Sequence, residues 1–377
     1  MNDISVMAED WALLTSFFPA DWRELARETS ALKGLRQDKS EENFVHTLLI
    51  HLACGYSLRE TVARARAANL ANLSDVALLK RLRKSKEWLY RLCVSLFSER
   101  GLPESQEPAM KLRLIDATLV KEPGQTGSQW RVHYSLQWPS LRCDFFKLTA
   151  VEGEGTGESL THFPLQAGEY LLADRGYSNA TSIHYAAAKG AHLTVRLNPQ
   201  GIRIHDPQGR AFDLPERLRG VRKTNQVASW PAVIPESTGP KTVTGRICVV
   251  RKSAAAIAEA KSKLHRKASR RQSILEAETL VYAEYVIVFT TFPAKKFSPK
   301  RALESYRLRW QIELVFKRFK QIASLGHLPK YDDESSKAWL YGKLFVALLT
   351  EKLIAQAESV SPWGYHFPRG QDAEPLA

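Results

Sequence analysis

Read for its alternation of apolar and polar positions, the chain divides into stretches of different period. Up to about residue 100 the period is helical. In SEENFVHTLLIHLACG, Phe44, Leu48 and Leu52 recur at helical spacing, and Gly55 marks the end of that helix. SLRETVARARAANL follows, with Ser57 and Glu60 spaced as a capping box. SDVALLKRLRKSKEWLYRLCVSLF reads as one further helix, capped by Ser74 and flanked by Arg81, Arg83, Lys84 and Lys86. After GLPESQEP the pattern changes. KLRLIDATLV, WRVHYSLQWPS and LRCDFFKLTAVEG read as three strands. A glycine-rich loop, EGEGTGE, leads to a fourth, EYLLADRGYSN. The helix SNATSIHYAAAKGAH, capped by Ser178 or Asn179, and a fifth strand, HLTVRLNP, come next.

Three adjacent strands followed by alternating strand and helix make an α/β pattern. Residues 201–283 depart from it. They hold short β-like pieces (GIRIHD, AFDLPERL, KTVTGRICVVRK) and then a basic helical stretch, AAAIAEAKSKLHRKASRRQSILEAE. YVIVFTTFP resumes a strand, a long helix runs from about Ser298 to Ser324, and KAWLYGKLFVALLTEKLIAQAE is another helix. The expected organisation is a helical domain over 1–100, the first part of an α/β core over 101–200, a β-rich insertion over 201–283, the second part of the core over 284–335, and a C-terminal helix and tail over 336–377.

Composition narrows the class of partner. The chain has 377 residues, 44% of them hydrophobic, and a formal net charge of +14. Such a surplus favours a polyanion, nucleic acid first and an anionic membrane surface second; a basic protein that is merely soluble is the plainer alternative. No stretch reaches roughly 18 uninterrupted apolar residues, so no membrane span is expected. MNDISVMAEDW has no secretory character. Cys54, Cys93, Cys143 and Cys248 lie far apart without zinc spacing, as expected of reduced thiols in a cytoplasmic protein. Two short helices of which the second is basic, with Arg81, Arg83 and Lys84, match a helix-turn-helix that grips DNA. They match an ordinary helical bundle as well.

The candidate chemistry lies in carboxylates set among apolar residues. In YRLRWQIELVFKRFK, at about 100° per residue, Tyr306, Arg309, Glu313 and Lys320 fall within an arc of roughly 60°. That arc borders an apolar stripe of Leu308, Ile312, Val315, Phe316 and Phe319. Glu313 would then face a cleft, flanked by cations able to hold phosphates; an intrahelical Arg309–Glu313 pair on an open surface is the alternative. Asp116 sits inside the apolar strand LRLIDATLV, with Leu112 and Leu114 as face-mates, where an unpaired charge is costly. Asp174 follows YLLA at the carboxyl end of its strand, the usual place for a site in an α/β sheet. Gly176, two residues on, is read as freeing the backbone there. Asp144 is a rival strand carboxylate whose RCDFF context also suits an exposed face. Three carboxylates, two on strands and one on a later helix, are what a site for two hard cations about 4 Å apart requires. His133 and His162 fall near these strands, but such a site does not need them.

The blocks RLIDATLV and LLADRGYSN, together with the Y-x2-R-x3-E-x6-K spacing at Tyr306, Arg309, Glu313 and Lys320, resemble the DDE transposases of the insertion sequence 4 family. The resemblance spans about residues 100 to 350. It implies an RNase-H-like core, interrupted by a mainly β insertion, between a helical N-terminal domain and a helical C-terminal segment. It implies that Asp116, Asp174 and Glu313 hold two Mg²⁺ ions, Mn²⁺ being able to substitute, and catalyse DNA cleavage and strand transfer. Tyr306, Arg309 and Lys320 would contact phosphates, in some relatives around a hairpin end. The implied partners are the terminal inverted repeats and target DNA, with a homodimer holding two ends together. The implied location is the bacterial cytoplasm, in association with the nucleoid. A regulator that keeps the fold without the chemistry and a metal-dependent nuclease that does not transpose are the competing functions.

Further DNA contacts are expected from Lys263, Arg266, Lys267, Arg270 and Arg271 on the basic stretch, unless it is only a solvated helix. Arg175 could reach a phosphate or pair with an acid. Trp230 could stack on an extruded base or close a small β core.

Overall fold

The computed structural model describes residues 11–33, 41–99, 111–121, 129–322, 328 and 332–360. They fall into two compact units, one drawn from 1–104, 120–129 and 317–377, the other from 105–119 and 130–316.

The first unit opens with helices α1 (Trp22–Glu28), α2 (Glu41–Cys54), α3 (Leu58–Ala67), α4 (Asp75–Lys84) and α5 (Lys86–Glu99). Gly55 ends α2 with φ +72°, a conformation open to glycine without a side-chain penalty. Ser57 caps α3 by accepting the Glu60 N–H, and Ser74 caps α4 by accepting that of Ala77. The single helix expected after Ser74 is two helices. Ser85 stands between them, and its hydroxyl donates to the Arg81 carbonyl, a bond that competes with helix continuation.

The second unit is built on one sheet. Its elements are β1 (Leu112–Lys121), β2 (Gln129–Trp138), β3 (Arg142–Ala150), β4 (Tyr170–Ala173), α6 (Ala180–Ala188), β5 (His192–Arg196), α7 (Leu214–Leu218), β6 (Val227–Pro235) and β7 (Thr242–Arg251). They continue with α8 (Ala254–Arg271), α9 (Ala277–Tyr282), β8 (Tyr285–Thr290), α10 (Pro299–Arg307) and α11 (Trp310–Ile322). The strand order is β3-β2-β1-β4-β5-β8-β7-β6. β1, β4 and β5 run parallel; β2 with β3, and β5, β8, β7 and β6 in succession, pair antiparallel.

Residues 201–283 hold the strands β6 and β7, which extend the central sheet. VASWPAVIP forms β6 despite its prolines because β6 is the last strand, where a missing donor does no harm. AFDLPERL is not β-like: Asp213 accepts the Glu216 N–H and Pro215 occupies the first turn, which starts α7.

One face of the sheet carries the larger core, in which Ile115, Leu171, Leu193, Val195, Ile287 and Phe289 meet Phe163, Tyr177 and Ile183. The alternate residues Cys248 and Val288 point the other way and bury Ala302, Leu303 and Tyr306 of α10. The long helix expected from Ser298 is broken at Leu308 and Arg309, with neither proline nor glycine to signal it. Backbone bonds there run to the third residue back, from Leu308 to Ser305 and from Arg309 to Tyr306.

The chain returns to the first unit with α12 (Asp333–Val360), which packs against α5, α4 and α2. Among the described residues no helix is long and apolar enough to cross a membrane.

Candidate active site

The sheet register brings two acids together. In the parallel pair β1–β4, Ile115 lies opposite Ala173, so Asp116, the next residue of β1, and Asp174, the first residue after β4, leave the same end of neighbouring strands. Each stands where its strand leaves the core: Ile115 and Ala173 are fully buried, and the two acids are half-buried.

The third acid arrives on α11. Tyr134 of β2 holds that helix: its ring packs at a tilt against Phe316, centroids 4.3 Å apart, and its hydroxyl donates to the Ile312 carbonyl at 3.5 Å. The next residue is Glu313, exposed in the first turn of α11. Ile312, Val315 and Phe316 are buried, as the apolar stripe requires.

Arg309, in the turn between α10 and α11, stands among the three acids. Its Nη2 lies 2.5 Å from Glu313 Oε1, its Nη1 3.7 Å from Asp116 Oδ2 and its Nε 3.8 Å from Asp174 Oδ1. The last two are ion-pair distances without hydrogen bonds, and Nε and Nη1 are buried with no hydrogen-bond partner. Tyr306, buried by the packing of α10, donates its hydroxyl to Asp174 Oδ1 at 3.5 Å. The helix break means that a continuous wheel does not describe this group. Three of its four signature residues nevertheless converge, because the turn itself carries Arg309.

The electrostatics are those of a crowded acidic site. Burial pushes the Asp116 carboxyl up to about 7; Asp174 and Glu313 add to the rise, while the Ala117 N–H and Arg309 oppose it. Burial pushes the Tyr306 hydroxyl up as well. Burial acts to lower Arg309, but Tyr306, Asp174 and Glu313 outweigh it and hold the guanidinium above its usual range.

The donor set is all oxygen and carries more negative than positive charge, which suits a hard divalent cation. A buried carboxyl that is costly to ionise alone is what such a cation would hold in its charged form. In this arrangement the acids surround the Arg309 guanidinium. Among the described residues no three carboxylate, imidazole or thiol groups close on a common point.

The other expected residues are dispersed. Lys320 is half-buried, about two turns beyond Glu313 on α11. Arg175 donates its Nε to Asn198 Oδ1 at 3.1 Å rather than to an acid. With Arg196, Lys252, Lys263 and Lys267 it lines a cavity of about 270 Å³. Lys263, Arg266, Lys267, Arg270 and Arg271 are exposed on α8, which buries no residue; of the five only Lys263 is in an ion pair, with Glu259, among the described residues. Trp230 is half-buried on β6, edge-on to Phe212 at 6.5 Å. In the first unit, Arg81 and Lys84 donate to the Lys33 carbonyl, and Arg83 lies 3.9 Å from Asp332.

Asp144 is not on an exposed face. It lies 2.9 Å from Nε of the buried Arg113, which also reaches Glu169 at 3.1 Å and Ser135 at 2.8 Å. The His133 and His162 rings pack at a tilt, centroids 4.2 Å apart; burial pushes His133 down to about 3, and its Nε2 meets the Thr149 hydroxyl. Arg113 and Arg196 carried no signal in the sequence beyond ordinary strand alternation.

Comparison with known proteins places the chain in a family. Residues 107–349, more than half of the chain, match the Transposase DDE domain family. Over 360 residues the chain is 29% identical to InsL of insertion sequence element IS186A from Escherichia coli K12, covering 94% of this chain and 96% of that protein. It is 29% identical to the transposase for insertion sequence element IS421 of Escherichia coli, with the same coverage. It is 21% identical to the transposase for IS231F of Bacillus thuringiensis subsp. israelensis, over 88% of this chain and 76% of that one.

Proposed function

Because the chain belongs to the DDE transposase family, we propose that it cuts and joins DNA at the ends of an insertion sequence, with Asp116, Asp174 and Glu313 as its catalytic centre. What carries this reading is Arg309: one guanidinium lies within 3.8 Å of all three acids, which come from distant parts of the chain. The order β3-β2-β1-β4-β5, with β1, β4 and β5 parallel, supports an RNase-H-like core. The stretch 201–283 interrupts that core between β5 and β8.

The reaction is an in-line displacement at phosphorus. A water oxygen attacks the phosphodiester at the element end, the bond to the 3′-oxygen breaks, and that oxygen leaves as a 3′-hydroxyl, which later attacks target DNA in the same way. Two Mg²⁺ ions, replaceable by Mn²⁺, would be held by Asp116, Asp174 and Glu313, and would supply activation of the attacking oxygen and neutralisation of the leaving one. The protein's own groups do the placing. Asp116 and Asp174, locked by strand register, fix one side of the centre, and Glu313 closes it from α11. Arg309 and Lys320 offer charge to phosphate oxygens, Arg309 through a planar fork, and Tyr306 offers a hydroxyl donor. The free cations of α8 and the cavity beside Arg175 suit the DNA backbone. Two copies of the chain would hold the two ends.

Incubation with DNA carrying the element's own terminal repeats, read on a denaturing gel, tests this. Strand cuts at the repeat boundary that need Mg²⁺ and stop with chelator support it; cutting without any dependence on a divalent ion overturns it.

A further inference from the structure

The turn after Asp174 holds a fourth acid. Gly176 lies outside the left-handed region of φ, so backbone freedom does not explain the glycine. Space does. A methyl group at Gly176 would come within 1.4 Å of Glu158 Oε2 and 2.6 Å of its Cδ, so the Glu158 carboxylate lies where a side chain at 176 would be. Glu158 ends the glycine-rich loop between β3 and β4, and its backbone carbonyl accepts from Asn179 Nδ2, the cap residue of α6, at 3.4 Å. The loop is therefore tied to the far side of the same turn.

Among the described residues no cation is bonded to Glu158. Arg131 acts on it only at a distance, and its Nη1 is spent on the Thr156 carbonyl while its Nε is buried without a partner. Burial pushes the Glu158 carboxyl up, Arg131 opposes the rise and Asp174 adds a smaller one; Gly176, two residues from Asp174, places the carboxylate at that turn. An independent group points into the same space. Tyr177 is fully buried, yet among the described residues its hydroxyl has no hydrogen-bond partner. After burial itself, the groups that perturb that hydroxyl are Asp116, Glu158, Arg131 and Asp174. The unpaired hydroxyl and the Glu158 carboxylate, which Arg131 offsets only from a distance, both lie in the field of the acids of β1 and β4. A hydrated cation there would satisfy them together.

Resting on the reading of Asp116, Asp174 and Glu313 as an ion-binding centre, we propose that Glu158 is a fourth acidic member of it, holding a water of the ion beside Asp174. Mg²⁺ and Mn²⁺ keep part of their hydration shell in protein sites, and the groups that hold such outer ligands set affinity by about 10–100-fold. Gly176 then serves the site by leaving room for that carboxylate.

The test is a titration of the full chain with Mn²⁺ alone, following the free-ion signal by electron paramagnetic resonance. Ion-free melting curves check that each variant folds. Glu158→Gln keeps the shape and removes the charge, and is expected to weaken Mn²⁺ binding by about tenfold. Gly176→Ala displaces the carboxylate and is expected to do the same, with little further loss when the two are combined. Asp174→Asn is the reference. If Asp174→Asn weakens binding and Glu158→Gln binds as the wild type does, Glu158 is outside the site and the proposal fails while the three-acid centre stands. If the wild type itself binds no Mn²⁺, both fail.

Discussion

The hydroxyl of Tyr306 lies 3.5 Å from Oδ1 of Asp174, across 132 residues of sequence. Tyr306 is placed by the packing of α10 on Cys248 and Val288, and Asp174 by the end of β4. Tyr306→Phe removes only the hydroxyl. A hydrogen bond to a charged group contributes about 1.5–3 kcal/mol, so the cleavage rate should fall by roughly 10- to 100-fold, with end binding and melting temperature little changed. Single-turnover cleavage measures it; a wild-type rate would take the hydroxyl out of the reaction.

Arg113 is buried between Asp144 and Glu169. Replacing it leaves two buried carboxylates without their cation, which costs about 3–5 kcal/mol. Arg113→Met should therefore lower the urea midpoint substantially. A loss below about 1 kcal/mol would show that the ion network contributes little.

Lys343 of α12 is fully buried, has no hydrogen-bond partner, and lies 5.1 Å from the Trp339 ring. Burial holds its ammonium down to about 8 from an ordinary 10.5. Between those values the unfolded chain binds more protons than the folded one, so this group's contribution to stability grows as pH rises from about 8 to 10.5 and is lost as pH falls back through 8. Lys343→Met should melt at a higher temperature at pH 7.5, with the difference from wild type shrinking toward pH 10.5. A constant difference across that range would rule out titration of Lys343 as its cause.

The cations of α8 are exposed, and Lys267 and Arg270 have no ion-pair partner among the described residues. If each meets one phosphate, Lys267→Ala and Arg270→Ala should each reduce the slope of log affinity against log salt by about 0.9. Affinity should fall alike for terminal-repeat and unrelated DNA. Unchanged slopes in both variants would leave α8 outside the interface.

Much of this site was legible in the chain. Asp116 stands out because an acid inside LRLIDATLV has no cheap place to go, and Asp174 because it ends an apolar strand. Glu313 follows from its position beside a helical apolar stripe, even though the helix is broken. What stayed hidden depends on three-dimensional neighbours. Nothing local announces the turn at Leu308 and Arg309, which lets one guanidinium reach three acids. Gly176 looks like a backbone device until Glu158 is seen against it. Arg113 looks like strand alternation until Asp144 and Glu169 close around it. The prolines of VASWPAVIP argue against a strand until β6 proves to be an edge.

The most direct test of the three-acid centre uses Fe²⁺ in place of Mg²⁺. With ascorbate and peroxide, bound Fe²⁺ cuts the polypeptide next to itself. Cuts of the full chain beside Asp116, Asp174 and Glu313 together, all suppressed by excess Mg²⁺, are the predicted result. Cuts beside only one of these residues, or cuts that Mg²⁺ does not suppress, would contradict it.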